Sequence, residues 1–570
     1  MRRTLAVAVL ALGACAHARP AAGPLPTPGG ATPATAEPAA IRPGVAPPAG
    51  PYAAGFDAIH YEISIVLPDT GTLIRGRTRV SIAVVAARQD TLPLDLTGLA
   101  VDSVRMNGAH ARYRYTEGKL RIAVPRSART GDTLSVEVMY HGHPRDGLII
   151  GPNVHGTRTA FADNWPDRAR FWFPCIDHPS DKATVDFEVR APRAWAVVAN
   201  GRPVLPAPDP EAGGRPADSG VALSRWTTDV PIPTYTMVLG AARFDTASVT
   251  ATPAAPVPPG PPVSRWLFPE DTAGRRSFRR AADIVAWYST LIAPFPYEKL
   301  AHVESSTKFG GMENASAIFY DEKAIAAGAN IEQTVAHETA HQWFGDAVTE
   351  GDWHHLWLSE GFATYFGALY FEHADGEARF RAIMARNKAE YLGSADTARP
   401  VIDESERDLF RLLNANNYQK GAWVLHMLRG LVGDSAFFQG IRRYYQDHRN
   451  GNALTPDLQR ALEAASGLEL GWFFHQWLEE PGYPRLRLER RWLAERQALE
   501  VRVLQLQPAA WPAFRFPLQL ELATSQGPVR REIQVSGRDG TFRLPLPSEP
   551  TALSADPDGR LLLVVEPPRP

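Results

Sequence analysis

Two stretches of the chain place hydrophobic residues at every second position, and the stretch between them has helical spacing. Tyr61, Ile63, Ile65 and Leu67 alternate with other residues, as do Val80, Ile82 and Val84 and then Leu92, Leu94 and Leu96, which predicts short strands. From about Ser264 the period becomes helical, first over Arg275–Ile292 and then repeatedly to about Leu478. After Pro484 alternation returns in Leu486/Leu488, Leu499/Val501/Val503, Leu518/Leu520/Leu522 and Leu561/Leu563, enough for a small sandwich of about 85 residues. The expected fold is therefore multidomain α+β. An N-terminal β-domain of sandwich type covers residues 52–262, an α-rich domain 263–482 and a C-terminal β-sandwich 483–570. Two Pro/Gly-rich stretches punctuate this order: residues 205–220, read as a surface excursion between strands, and residues 251–262, read as a domain boundary.

Composition narrows the possibilities. With 44% hydrophobic and 21% charged residues over 570 positions, the body can bury several cores and is not a disordered chain. Lys plus Arg number 60 against 62 Asp plus Glu, without a basic run that could follow phosphates, so nucleic-acid binding is not expected. The first fifteen residues change the picture in another direction. Arg2-Arg3, an apolar run from Leu5 to Leu12, and Leu12-Gly13-Ala14-Cys15 read as an export signal whose end resembles the lipobox of bacterial lipoproteins. That run is shorter than the ~20 residues a bilayer core requires. The expectation is a cell-envelope protein anchored through lipidated Cys15, on the periplasmic face of the outer membrane, with residues 16–51 as a Pro/Ala-rich tether. Cys175 is the one other cysteine; no intrachain disulfide can then form in the mature protein, and Cys175 reads as a buried small hydrophobe.

The chemistry lies in the helical region. His337-Glu338-Thr339-Ala340-His341 falls inside a predicted helix of about four turns, Ile331–Phe344, with Asn330 as N-cap, Gln333 at the capping-box position and Gly345 as the stop. Histidines four apart project from one helical face and suit a tetrahedral zinc, with Glu338 beside whatever they hold. A catalytic zinc needs a third protein ligand and an open position. The metzincin continuation fails, because Phe344 and Ala347 stand where Gly and His are required. Glu360, at the start of the next helical pattern with eighteen residues between it and His341, is favoured, since the intervening loop lets the second helix fold back antiparallel. Asp346, Asp352, His354 and His355 are rivals that fall in the loop or just before that helix, and the two histidines are expected to support the ligands or to face solvent.

Upstream, Gly310-Gly311-Met312-Glu313-Asn314 follows a predicted strand, Leu300–Ser306. Together with the HExxH segment and the Glu within Trp357-Leu358-Ser359-Glu360-Gly361-Phe362-Ala363, it resembles the alanyl aminopeptidase family of gluzincin zinc peptidases, family M1. The resemblance extends over most of the chain, including Tyr235 and Trp477–Pro484. It implies a saddle-like N-terminal β-domain, a thermolysin-like catalytic domain and a small β-sandwich, without the fourth, helical domain of many relatives. It also implies one zinc held by His337, His341 and Glu360, with Glu338 as general base. Tyr418, in Tyr418-Gln419-Lys420-Gly421, matches the family's transition-state tyrosine. Glu313 would capture the substrate's ammonium group, and Gly310, Gly311, Met312 and Asn314 would line the extended peptide.

One departure accompanies the resemblance. Where many relatives carry a Gln or Glu as a second contact to the amine, alignment on Phe173-Pro174-Cys175 places Trp165. Either Asp163 or Asn164 substitutes, or Trp165 and Phe309 form an aromatic wall. The expected activity is release of the N-terminal residue from peptides with a free N-terminus. Two other readings are an epoxide hydrolase of the leukotriene-hydrolase kind and a catalytically silent zinc protein that captures peptides; the presence of both Glu338 and Tyr418 speaks against silence.

Overall fold

In the strand Phe56–Val66, Tyr61, Ile63 and Ile65 are buried while Glu62 and Ser64 stand on the other face, as the period-two pattern requires. This strand runs antiparallel to Ile74–Val84 and parallel to Lys182–Pro192, near the middle of a nine-stranded sheet. On the outer face Arg79 bridges Glu62 at 2.8 Å and Glu137 at 3.0 Å, pairs across neighbouring strands that add little more than register at this exposure. A four-stranded sheet and a three-stranded one close on the apolar face, and all three contribute to one core that includes fully buried Cys175. The computed structural model describes residues 52–53, 55–86, 89–116, 118–205, 220–251 and 260–567. The export signal, Cys15 and the tether lie outside the described residues, as do most of the 205–220 insert and of the 251–262 stretch.

The second sheet has five strands: β1 (Asp245–Val249), β2 (Val263–Leu267), β3 (Leu300–Ser305), β4 (Gly311–Met312) and β5 (Ala317–Asp321), in the order β1-β2-β3-β5-β4. β1 pairs antiparallel with β2. A boundary at 262 is therefore a misreading: the Pro-rich stretch joins two strands of one sheet, and the α-rich domain's sheet begins at Asp245. Proline and glycine signal where regular structure stops, and they do not report which strands pair across the gap. The 275–292 segment is likewise two pieces, a tight 3₁₀ stretch over Thr272–Phe278 and an α-helix over Ala281–Leu291.

Helix α1 (Glu332–His341) packs against this sheet, α2 (Trp357–Asp375) against α1 and α3 (Gly421–Val432) against α2, with a small parallel pair, β6 (Val348–Glu350) and β7 (Gly451–Ala453), beside them. The C-terminal part is a sandwich of a four-stranded and a three-stranded sheet, with Leu499, Val501 and Val503 facing Leu518, Leu520 and Leu522 in the core. Its last strand is Val564–Val565, slightly later than the Leu561/Leu563 pattern suggests. This sandwich shares a continuous apolar core with the helices, Trp477 lying 5.0 Å from Phe514. Among the described residues, no helix is long and apolar enough to cross a membrane.

Candidate metal centre and amine subsite

Helix α1 is shorter than its sequence pattern suggests. It spans three turns, its N-cap is Ile331, and Asn330 accepts a hydrogen bond from the Glu332 N–H at 3.1 Å. No capping box forms: the Gln333 side-chain oxygen Oε1 accepts a hydrogen bond from Arg386 at 2.8 Å. Past His341 the chain folds into tight turns through Gly345, whose φ of +122° favours glycine. The fold-back then brings α2 alongside α1 in antiparallel sense, Ser359 lying beside His341 and Gly367 beside His337.

This packing gathers three donor atoms. His337 Nε2 and His341 Nε2 are 3.1 Å apart, and Glu360 Oε2 lies 3.2 Å from the first and 3.3 Å from the second. A tetrahedral zinc with ligands at about 2.0–2.1 Å separates them by about 3.3–3.4 Å, so the triangle has the right edge for that ion. Two imidazole nitrogens and a carboxylate turned on one point, largely away from water, are a donor set that a divalent cation satisfies. The other nitrogen of His341, Nδ1, lies 3.2 Å from the Phe344 carbonyl and 3.0 Å from Ser359 Oγ, which fixes the ring with Nε2 inward.

Tyr418 comes from a π-helical turn, Asn416–Lys420, at the start of α3, and not from an ordinary helix start. Its placement follows from a close helix crossing: a Cβ on Gly361 would stand 2.9 Å from Gly421 Cα, so α2 and α3 meet backbone to backbone. Tyr418 O–H donates to Glu360 Oε1 at 2.6 Å, and its ring lies parallel to that of His337, with centroids 6.1 Å apart. Lys420 Nζ donates to the Glu480 carbonyl at 3.2 Å and anchors the turn.

Strand β4 carries the Gly-rich segment against α1. A Cβ on Gly311 would stand 2.2 Å from Glu338 Oε1, so any side chain there would displace that carboxylate from its position. Gly310 meets nothing nearby, Met312 is buried opposite Phe319, and Asn314 is fully buried with both side-chain polar atoms unpartnered by protein. One carboxylate oxygen each from Glu313 and Glu338 and a His341 nitrogen lie within 4.8 Å of one another. Burial pushes the Glu313 carboxyl up to about 7 and that of Glu338 well above the usual range, with neighbouring acids adding to both. A dication at the triangle would draw these groups down again.

Two further residues brace the site. Gln342, next to His341, donates to the Glu313 carbonyl at 2.8 Å and accepts from the Ser316 N–H at 2.7 Å, tying the end of α1 to the Gly-rich segment. Tyr235 of the N-terminal domain donates to the Gly345 carbonyl at 3.2 Å. The rivals for the third ligand position lie elsewhere. His354 contacts Asp352 and the Glu406 carbonyl, His355 contacts Thr455, and neither touches the triangle or simply faces solvent. Asp346 accepts from Gln342 at 2.8 Å.

At the departure, Asp163 is spent on Arg168 at 2.6 Å, and the Asn164 amide is held by Thr234, Met237 and Trp172. Trp165 is buried edge-on to Phe309, Trp353 and Phe410 at 5.4–6.0 Å between ring centres. The side facing the Gly-rich segment is thus aromatic.

Residues 57–236 match the Peptidase M1 N-terminal domain, and residues 278–477 match the Peptidase family M1 domain. The chain belongs to peptidase family M1. Among relatives of this M1 chain, the leucyl aminopeptidase of Saccharolobus solfataricus is 25% identical over 432 residues, which cover 70% of this chain and 51% of the relative. A crystal structure of an M1 zinc metallopeptidase from Deinococcus radiodurans superposes with a TM-score of 0.62 at 26% identity, covering 75% of this chain and 95% of that one. Legionella pneumophila aminopeptidase A, crystallised with aspartic acid, has the same fold with a TM-score of 0.75 at 18% identity, over 90% of this chain and 60% of that one. The M1 chain spans about half the length of the curated relatives it matches.

Proposed function

We propose that the protein is a zinc-dependent aminopeptidase that hydrolyses the first peptide bond of peptides with a free N-terminus. The observation that carries this is the buried Glu313 carboxylate beside the His337–His341–Glu360 triangle and the Glu338 carboxylate. Bound at the triangle, zinc supplies Lewis acidity to the scissile carbonyl and lowers the pKa of water toward neutrality. The protein's own groups do the rest. Glu313 holds the substrate ammonium by a charge-assisted hydrogen bond in a site shielded from water, which fixes the register so that the first peptide bond meets Glu338. Glu338 accepts the proton of the attacking water and returns it to the departing nitrogen. The Tyr418 hydroxyl leaves Glu360 and donates to the oxyanion as charge develops there. Backbone groups of Gly310 and Gly311 are unshielded and can pair with an extended peptide. The names of relatives, leucyl aminopeptidase among them, agree with this reading.

Hydrolysis of a peptide and its N-acetylated twin, each with and without a chelator, tests it. The free peptide should be cleaved, the blocked one spared, and the chelated enzyme inactive until zinc is restored. Equal cleavage of both peptides would make it an endopeptidase, and full zinc loading with no turnover would make it a binding protein. The Leu12–Cys15 segment supports a lipid-anchored enzyme of the cell envelope acting on peptides there; the intact mass of the N-terminal fragment checks this.

A further inference from the structure

Strand β6 ends in a residue that the mechanism above does not use. Glu350 is 2% exposed, and neither of its carboxylate oxygens has a hydrogen-bond partner in another residue, only its own backbone N–H lying near. A buried carboxylate in that condition is costly, and an apolar side chain of similar size would sit there at no such cost. Lys182 lies close enough for its charge to offset part of that cost, but it gives its hydrogen bonds to the carbonyls of Asp346, Ala347 and Gly451 and none to Glu350. The acid that acts on Glu350 most strongly is Glu313, followed by Glu360. Tyr235 of the N-terminal domain, which donates to the Gly345 carbonyl at 3.2 Å, has Glu350 and then Glu313 as its strongest ionic neighbours. Opposite, Asp163 and Asn164 are held by other groups and Trp165 offers a ring, so these three N-terminal residues supply no free carboxylate or amide.

We infer that Glu350 is the second anionic contact for the substrate's ammonium group, facing it together with Glu313 and taking the place left without a polar side chain at Trp165. An ammonium has three N–H donors, and two carboxylates satisfy more of them than one. The arriving cation also settles a pair of buried acids that otherwise repel each other. Glu350 is then a residue that selects for a charged N-terminus, and this inference rests on the aminopeptidase reading.

The test compares two competitive inhibitors that chelate the metal identically, leucine hydroxamate and its counterpart lacking the α-amine, on zinc-loaded wild type and Glu350→Gln. The variant should weaken the amine-bearing inhibitor by at least about tenfold and raise KM for a free peptide to match, with the des-amino inhibitor and kcat changed by less than about threefold. Equal weakening of both inhibitors would make Glu350 a structural support of β6, and no weakening of either would remove it from the subsite; both results overturn the inference. Glu350→Met, uncharged and of similar length, serves if the Gln variant folds poorly by thermal melt and zinc content. Should wild type itself bind both inhibitors alike and cleave blocked peptides, the aminopeptidase reading fails; should wild type discriminate and the variant discriminate equally, the role of Glu350 alone fails.

Discussion

The catalytic side of the site and its N-terminal side bury polar residues to a similar depth with opposite results. On the catalytic side Glu313, Glu338 and Glu350 are each at most 5% exposed and feel the charge of Glu360, which is itself held by the two histidines and Tyr418. On the N-terminal side Asp163 and Asn164 are fully buried too, yet the carboxylate is paired with Arg168 and the amide is saturated by backbone and Trp172. Buried groups already satisfied contribute shape, whereas buried groups left in mutual repulsion are held ready for something that arrives. A dication and an ammonium are what four clustered acids call for, and an aromatic wall gives neither a reason to bind there.

The comparison breaks most visibly at Glu338. If the clustered acids divide their labour, Glu338→Ala should cost about 10⁴-fold in turnover. Metal analysis should still find one zinc, since the triangle is untouched. Loss of zinc along with activity would show that the acids act as one undivided site. Next comes Tyr418→Phe, which removes a single donor and should lower kcat by about 10²–10³-fold with KM little changed. A change confined to KM would place the hydroxyl on the ground state instead. Gly311→Ala tests the packing between wall and base: the added carbon, 2.2 Å from Glu338 Oε1, must push that carboxylate aside. Displacement of about an ångström should cost about 10²-fold in kcat/KM, measured on enzyme of normal melting temperature.

How much of this was legible follows the range of the interactions. The HExxH histidines are one helical turn apart, so spacing alone joins them, and the fold-back to Glu360 needs one short loop. The alternating and helical periods give the β, α, β order for the same reason: each is a local property of the chain. Pairings across longer separations leave no such trace. β1 belongs with β2 across the Pro-rich stretch, so the boundary fell in the wrong place. Glu350 reads in sequence as an acid in a turn-rich loop, and nothing local announces that the parallel pairing of β6 with β7, about a hundred residues on, will bury it. Tyr418, Glu313 and their roles came into view through a family resemblance, because the Gly361–Gly421 crossing that positions Tyr418 joins helices sixty residues apart.

The smallest effect is expected from the wall that lacks free charge. Trp165 is itself 2% exposed, so it reaches a substrate through the rings it supports: Phe309, partly exposed beside the Gly-rich segment, and Phe410, 45% exposed. Arg168 completes the stack by lying over both of these rings at 5.7–5.8 Å. Trp165→Gln removes the centre of this cluster. Each aromatic contact is worth about 0.5–1.5 kcal/mol, so releasing the supported rings should reduce the preference for a bulky over a small N-terminal residue several-fold. The ratio of kcat/KM for leucyl and alanyl substrates measures it. A uniform gain in affinity for every free-amine substrate would have a different meaning: the new amide would be reaching the ammonium, and this wall would hold a place for charge after all. No change in either quantity would detach Trp165 from substrate recognition and leave it a packing residue between the two domains.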